Sequence, residues 1–226
     1  MSADIEAIKA ELGRYGLVFR GGVNPDPGEM VGTFSSQIGT VVLVGNAGSA
    51  MWQAFQAQPI ASDDAPDPLN RWIEEVVDEI ALGLGARAVY AHNGPPFLPL
   101  LTWAARSDAV FSSPLGLFVH PDFGLWHAYR AALLFDDPVV LPARDLRPSP
   151  CIACAERPCT TACRVPGADL IRNHVLDCAG SENPEGKACR YDGCAARRAC
   201  PLGRAYEYEP RHMRFHMDAY LRSVRR

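Results

Sequence analysis

Eight cysteines lie between residues 151 and 200 of this 226-residue chain, and the preceding 150 residues contain none. Thiols crowded in this way dictate the local chain path, whether through disulfides, zinc or an iron–sulfur cluster. The compartment narrows the choice first. The amino terminus, MSADIEAIKAELGRYG, reads as a charged amphipathic helix. It lacks the basic start, apolar centre and small-residue cleavage site of a secretory signal. No run of about eighteen apolar residues exists, so no membrane-spanning helix is expected. The chain is therefore expected in the cytoplasm, where disulfides do not persist, and the thiols read as metal ligands.

The spacing bears on which metal. Cys151, Cys154, Cys159 and Cys163 follow C-x2-C-x4-C-x3-C; Cys178 stands alone; Cys189, Cys194 and Cys200 follow C-x4-C-x5-C, with Pro201 next. Bacterial two-cluster ferredoxins use C-x2-C-x2-C-x3-C-P, in which three close thiolates grip one cube and the fourth serves the other. The same logic occurs twice here with looser gaps, and eight thiols are what two 4Fe–4S clusters need. Zinc is the rival: Cys151 and Cys154 make one close pair, although no second C-x2-C exists.

Charge and composition divide the chain near the same place. Residues 1–143 hold 7 Lys/Arg against 16 Asp/Glu, a net of −9, and residues 144–226 hold 15 against 10, a net of +5. A basic half can signal nucleic acid. Here Arg157, Arg164, Arg190, Arg197 and Arg198 lie within a few residues of cysteines. They read as compensation for clusters carrying about two negative charges each, and no nucleic-acid partner is expected. The chain thus reads as a core domain over 1–143 and a cysteine domain over 144–226, which is too poor in large apolar residues to build much of a core without metal.

The first part alternates helix and strand signals. TVVLVGN (40–46) and ARAVYAH (86–92) read as strands, and LWHAYRAALLF (125–135) as a third. In DPLNRWIEEVVDEIALGLG, Asp67 and Pro68 open a helix whose apolar stripe is Leu69, Trp72, Ile73, Val76, Val77 and Ile80. FLPLLTWAARS reads as a short helix, and a terminal helix follows Pro210. This pattern predicts an α/β or α+β core. GNAGSAMW (45–52) reads as a tight turn; His212 and His216, four apart, read as a solvated helix face.

Two resemblances sharpen these readings. The segment 151–201 resembles the double-cluster domain of epoxyqueuosine reductases, a cobalamin-dependent iron–sulfur family. That resemblance implies one 4Fe–4S cluster on Cys151, Cys154, Cys159 and Cys200 and a second on Cys163, Cys178, Cys189 and Cys194. The stretch HPDFGLWHAYRAALLF (120–135) is similar to a stretch of the CblC-type cobalamin-processing proteins, matching at His120, Pro121, Phe123, Gly124, Trp126 and Arg130. It implies a flavin-reductase-like core that binds a corrinoid or flavin, with His120, Trp126 and Arg130 as cofactor-binding residues. On an unbroken strand, Trp126, Ala128 and Arg130 would share one face.

Together these expectations describe a flavin-reductase-like core joined to a small ferredoxin-type domain. An external electron donor would load the clusters, and single electrons would pass to a small-molecule or corrinoid substrate near Trp126 and Arg130. A non-catalytic electron carrier and a zinc-stabilised binding module are the alternatives.

Overall fold

The apolar runs TVVLV and AALLF become the two central strands of a four-stranded sheet. A computed structural model describes residues 4–26, 38–94, 97–163 and 184–224. The sheet contains β1 (Val18–Val23), β2 (Thr40–Ala47), β3 (Arg87–Tyr90) and, later in the chain, β6 (His127–Phe135). Their order is β1-β2-β6-β3, and every neighbouring pair is antiparallel. The architecture is therefore α+β: the helices between these strands cover the sheet without making parallel crossovers. Val41 to Val44 and Ala131 to Phe135 are all buried, as continuous apolar runs require of central strands.

Helices cover this sheet. In α1 (Ile5–Gly13), Ile5, Ile8 and Leu12 are buried, and the Asp4 carboxylate accepts from the Glu6 amide at 3.3 Å. In α2 (Ala50–Gln56), Phe55 packs against Trp52 at a centroid separation of 5.5 Å and against Trp72 of α3 (Pro68–Leu84) at 5.6 Å. The buried stripe of α3 holds all six residues that the helical spacing marks, plus Ala81. Asp67 occupies the N-cap position in a left-handed conformation, and its side chain makes no capping bond. In α4 (Leu100–Ser107), Pro99 is the N-cap and Trp103 is fully buried. Side chains of this size contribute about 1.5–3 kcal/mol each when buried.

The third strand departs from expectation at its start. It begins at His127, so Trp126 is not part of it. Its pairing with β2 is also broken: Val44 pairs with Ala131 and Gly45 with Tyr129, leaving Arg130 as the extra residue of a β-bulge. Gly45 is what permits this, since a Cβ there would sit 2.3 Å from the Ala128 carbonyl oxygen.

The chain divides into two compact units, one comprising Met1–Ala109 and His127–Leu146, the other Val110–Trp126 and Arg147–Arg226. The composition break after residue 143 lies beside the second crossing. The first, around 110–126, leaves no trace in composition. Within the second unit, β4 (Phe111–Ser112) and β5 (Phe118–Val119) form a hairpin. Among the described residues, three α-helices follow: α5 (Pro184–Asp192), α6 (Ala195–Ala199) and α7 (Pro210–Val224). Two small apolar clusters hold this unit, one of Val119, Leu125 and Cys200, the other of Trp126, Tyr208 and Met213. Gly124, at φ 57°, lies so close to the 202–203 backbone that an added Cβ would meet the Leu202 carbonyl oxygen at 2.3 Å. Among the described residues no helix is long and apolar enough to cross a membrane.

Candidate functional site

The second unit brings four thiols from two stretches of chain to one cavity of about 240 Å3. Cys151, Cys154 and Cys159 arrive on the loop leading into a 3-10 turn at Pro158–Thr160; Cys200 arrives at the end of α6. Val119, Leu125 and Leu202 form much of the remaining wall. Arg147 anchors the chain just ahead of the loop by pairing with both carboxylate oxygens of Asp122, at 2.7 and 2.6 Å. Burial pushes the Cys151 and Cys159 thiols up, and the neighbouring Cys200 and Cys154 thiols push in the same direction. At Cys151 the Arg157 guanidinium opposes the rise.

Of the other described thiols, Cys163 and Cys189 lie near Cys194 at the start of α6. Cys194 is its N-cap. Burial is the main cause pushing this thiol up, with Cys189 and Cys163 adding to it. Cys178 lies outside the described residues. All seven described cysteines are free of disulfides. Among the described residues, no three His, Cys, Asp or Glu side chains converge closely enough to hold a single metal ion.

Arg197, in the middle of α6, is a residue whose role spacing does not reveal. Its Nε and Nη2 donate to the Leu125 carbonyl oxygen at 3.0 and 2.6 Å. Its guanidinium lies 4.6 Å from the Trp126 ring and 4.7 Å from the Tyr208 ring. This cation between two aromatic faces ties the 125–126 backbone to the helix linking Cys194 and Cys200. The indole Nε1 of Trp126 is buried without an acceptor among the described residues. Leaving such a donor dry costs about 1–3 kcal/mol.

His120 belongs to the same unit. Its Nδ1 accepts from the Asp122 and Phe123 amides at 3.0 and 3.3 Å, and its ring stacks on Phe123 at 4.3 Å. With Nδ1 accepting, the neutral ring carries its proton on Nε2. This histidine holds a turn, and no lone pair remains for a metal in that tautomer. The solvated face expected for His212 and His216 is corrected as well. His212 is fully buried, stacked on Tyr208 at 3.9 Å, with its Nε2 3.0 Å from that of His216.

Arg130 falls in the first unit, apart from the 120–126 segment. Its Nε donates to Asn46 Oδ1 at 2.9 Å, and its carbonyl accepts from the Ala91 amide at 3.2 Å. The bulge changes the alternation, so that both Tyr129 and Arg130 line one cavity of about 220 Å3 with Asn70, Ile73, Ala91 and His92. His92 Nε2 is 2.8 Å from Glu74 Oε1. Behind this cavity lies a group that no sequence pattern marks. Arg20 of β1, with its side chain almost wholly buried, pairs with Asp108 at 2.7 Å, and the Tyr129 hydroxyl donates to the same carboxylate oxygen at 2.7 Å.

No family model matches the chain, and no curated protein matches it in sequence. Among solved structures, the chain shares a fold with the Caenorhabditis elegans B12-trafficking protein CblC, a homologue of human MMACHC. The likeness covers 97% of this chain and 93% of that one, at 14% sequence identity and a TM-score of 0.56. At that identity the likeness establishes a CblC-like α+β fold.

Proposed function

We propose that this protein is a cytoplasmic iron–sulfur oxidoreductase that passes single electrons through two 4Fe–4S clusters to a corrinoid-class acceptor at the first unit. The observation that carries the reading is the convergence of Cys151, Cys154, Cys159 and Cys200 on one cavity. A single tetrahedral zinc ion holds its sulfurs at about 2.3 Å from one point. A cube of four irons and four sulfides needs four thiolates around one volume, and these four line one cavity. Cys163, Cys178, Cys189 and Cys194 are the proposed ligands of the second cluster.

A 4Fe–4S cluster supplies reversible one-electron transfer when bound. The chain's own residues hold and shield it. The thiolates fix its position, while Val119, Leu125 and Leu202 keep water from the cavity wall. Arg197 holds Leu125 in place through its carbonyl oxygen. An external electron donor completes the scheme.

The acceptor class rests on the fold shared with a B12-trafficking protein. Arg130 is the proposed acceptor-binding residue of the first unit; Trp126 and His120, which the resemblance also marks, belong to the second. The cavity beside Arg130, about 220 Å3, lies below the usual range for small-molecule pockets of about 300–1,000 Å3. It does not enclose a corrin ring, so no chemical step is assigned there.

Anaerobic purification followed by iron, sulfide and zinc assay tests the reading. About eight irons and eight sulfides per chain are expected, with absorption near about 400 nm that bleaches on dithionite. A colourless protein holding about two zinc ions after iron-replete, anaerobic preparation would overturn it and leave a binding module. Titration with hydroxocobalamin, followed through the corrin absorption bands, then tests the acceptor. An iron-loaded protein that leaves those bands unchanged is an electron carrier instead.

A further inference from the structure

The five arginines near the cysteines differ in what holds their side chains. Arg190 donates to Asp218 at 2.5 Å, and Arg198 to Glu207 at 3.1 Å. Arg197 is held by the Leu125 carbonyl between two aromatic rings. Arg164 lies outside the described residues. Arg157 alone lines the thiol cavity, and no carboxylate among the described residues pairs with it.

The backbone at Arg157 reinforces the point. It has φ 42° and ψ 54°, a left-handed conformation shared by only one other non-glycine residue among those described, and it directly precedes Pro158. Residues with a Cβ avoid this region, and a following proline restricts them further. The Thr160 amide and hydroxyl both donate to the Arg157 carbonyl oxygen at 2.9 Å, holding the turn shut. A glycine would suit the turn better, yet an arginine stands there at the wall of the thiol cavity.

We propose that Arg157 is the counter-charge of the cluster held by Cys151, Cys154, Cys159 and Cys200, raising its reduction potential from the cavity wall. The proposal rests on the iron–sulfur reading. Reduction adds one electron to an already anionic group, with no bond made or broken. A cation beside that group favours the reduced state, and Arg157 acts from an exposed position at the cavity wall, where water screens part of its field. Arg190 and Arg198, neutralised by carboxylates, cannot exert a comparable field.

The test is a dithionite titration of the full chain, prepared anaerobically and followed by electron paramagnetic resonance. Arg157→Gln should shift one of two potentials to more negative values and leave the other in place. Arg157→Glu should shift the same potential further, and Arg157→Lys should lie nearer wild type than Arg157→Gln. Arg198→Gln, the control, should move neither. Loss of iron in Arg157→Gln with full loading in Arg157→Lys supports the same conclusion, because charge is what separates those two. An iron-loaded Arg157→Gln with both potentials unmoved, or both moved alike, overturns the proposal while leaving the cluster reading intact. A wild-type chain without iron overturns both.

Discussion

The Tyr129 hydroxyl donates to Asp108, which also pairs with the buried guanidinium of Arg20. Burial pushes the phenol well above its ordinary value of 10.0; Asp108 adds to the shift and Arg20 opposes it. In the unfolded chain the phenol ionises near pH 10, whereas in the folded chain it stays neutral. The contribution of this group is therefore fully present below about pH 10 and is lost as pH rises beyond it. Denaturant midpoints measured from pH 9 to 11 should fall more steeply for wild type than for Tyr129→Phe; parallel curves would contradict the assignment. Little of this was legible beforehand. Arg20 and Asp108 are 88 positions apart, and nothing in VFRGGV distinguishes a buried arginine from a salt bridge at a strand edge. Arg130 could be singled out from its neighbours, but its direction could not, because a bulge cannot be read from strict alternation.

At the scale of elements, legibility follows periodicity. Helix α3 carries a seventeen-residue amphipathic pattern and appears with its stripe as expected. Cys151, Cys154 and Cys159 share a cavity because neighbours on a short loop have few other places to go, whereas spacing does not reveal that Cys200 lines it too. The two-residue strands β4 and β5 are too short to carry a period, and the clamp of Arg197 on Leu125 spans 72 residues. Glycines mark the joints that periodicity misses. Gly124→Ala should destabilise the protein by about 2 kcal/mol or more in urea denaturation, because it combines a left-handed backbone with a collision against Leu202. Gly83→Ala, inside α3 with nothing within 4 Å of its new methyl, should instead stabilise by about 0.5–1 kcal/mol. Equal effects at the two positions would remove the packing explanation.

For the whole molecule, the two units differ in how they are held. The first has a sheet with central strands buried along their apolar runs and helices packed around aromatic side chains. Among its described residues, the second has two apolar clusters of three buried residues each. On the proposed function, metal supplies the remaining stability of the second unit. Stripping the iron by chelator after oxidation should therefore expose 147–224 to trypsin well before residues 38–94, as read by mass spectrometry of the fragments. Uniform protection after iron loss would argue that the thiols are not structural ligands. The charge split and cysteine crowding announce this asymmetry in sequence, but they do not reveal that Val110–Trp126 belongs with the cysteines. That interleaving has an evolutionary consequence. A cysteine segment bounded at its compositional border could be acquired or shed by a single gene fusion or deletion. This one shares its apolar contacts with Val119 and Leu125, which are encoded upstream of β6, so neither stretch is a transferable cassette. Lineages that lose the cysteines should also show the 110–126 loop rewritten, the two regions being inherited and lost as a pair.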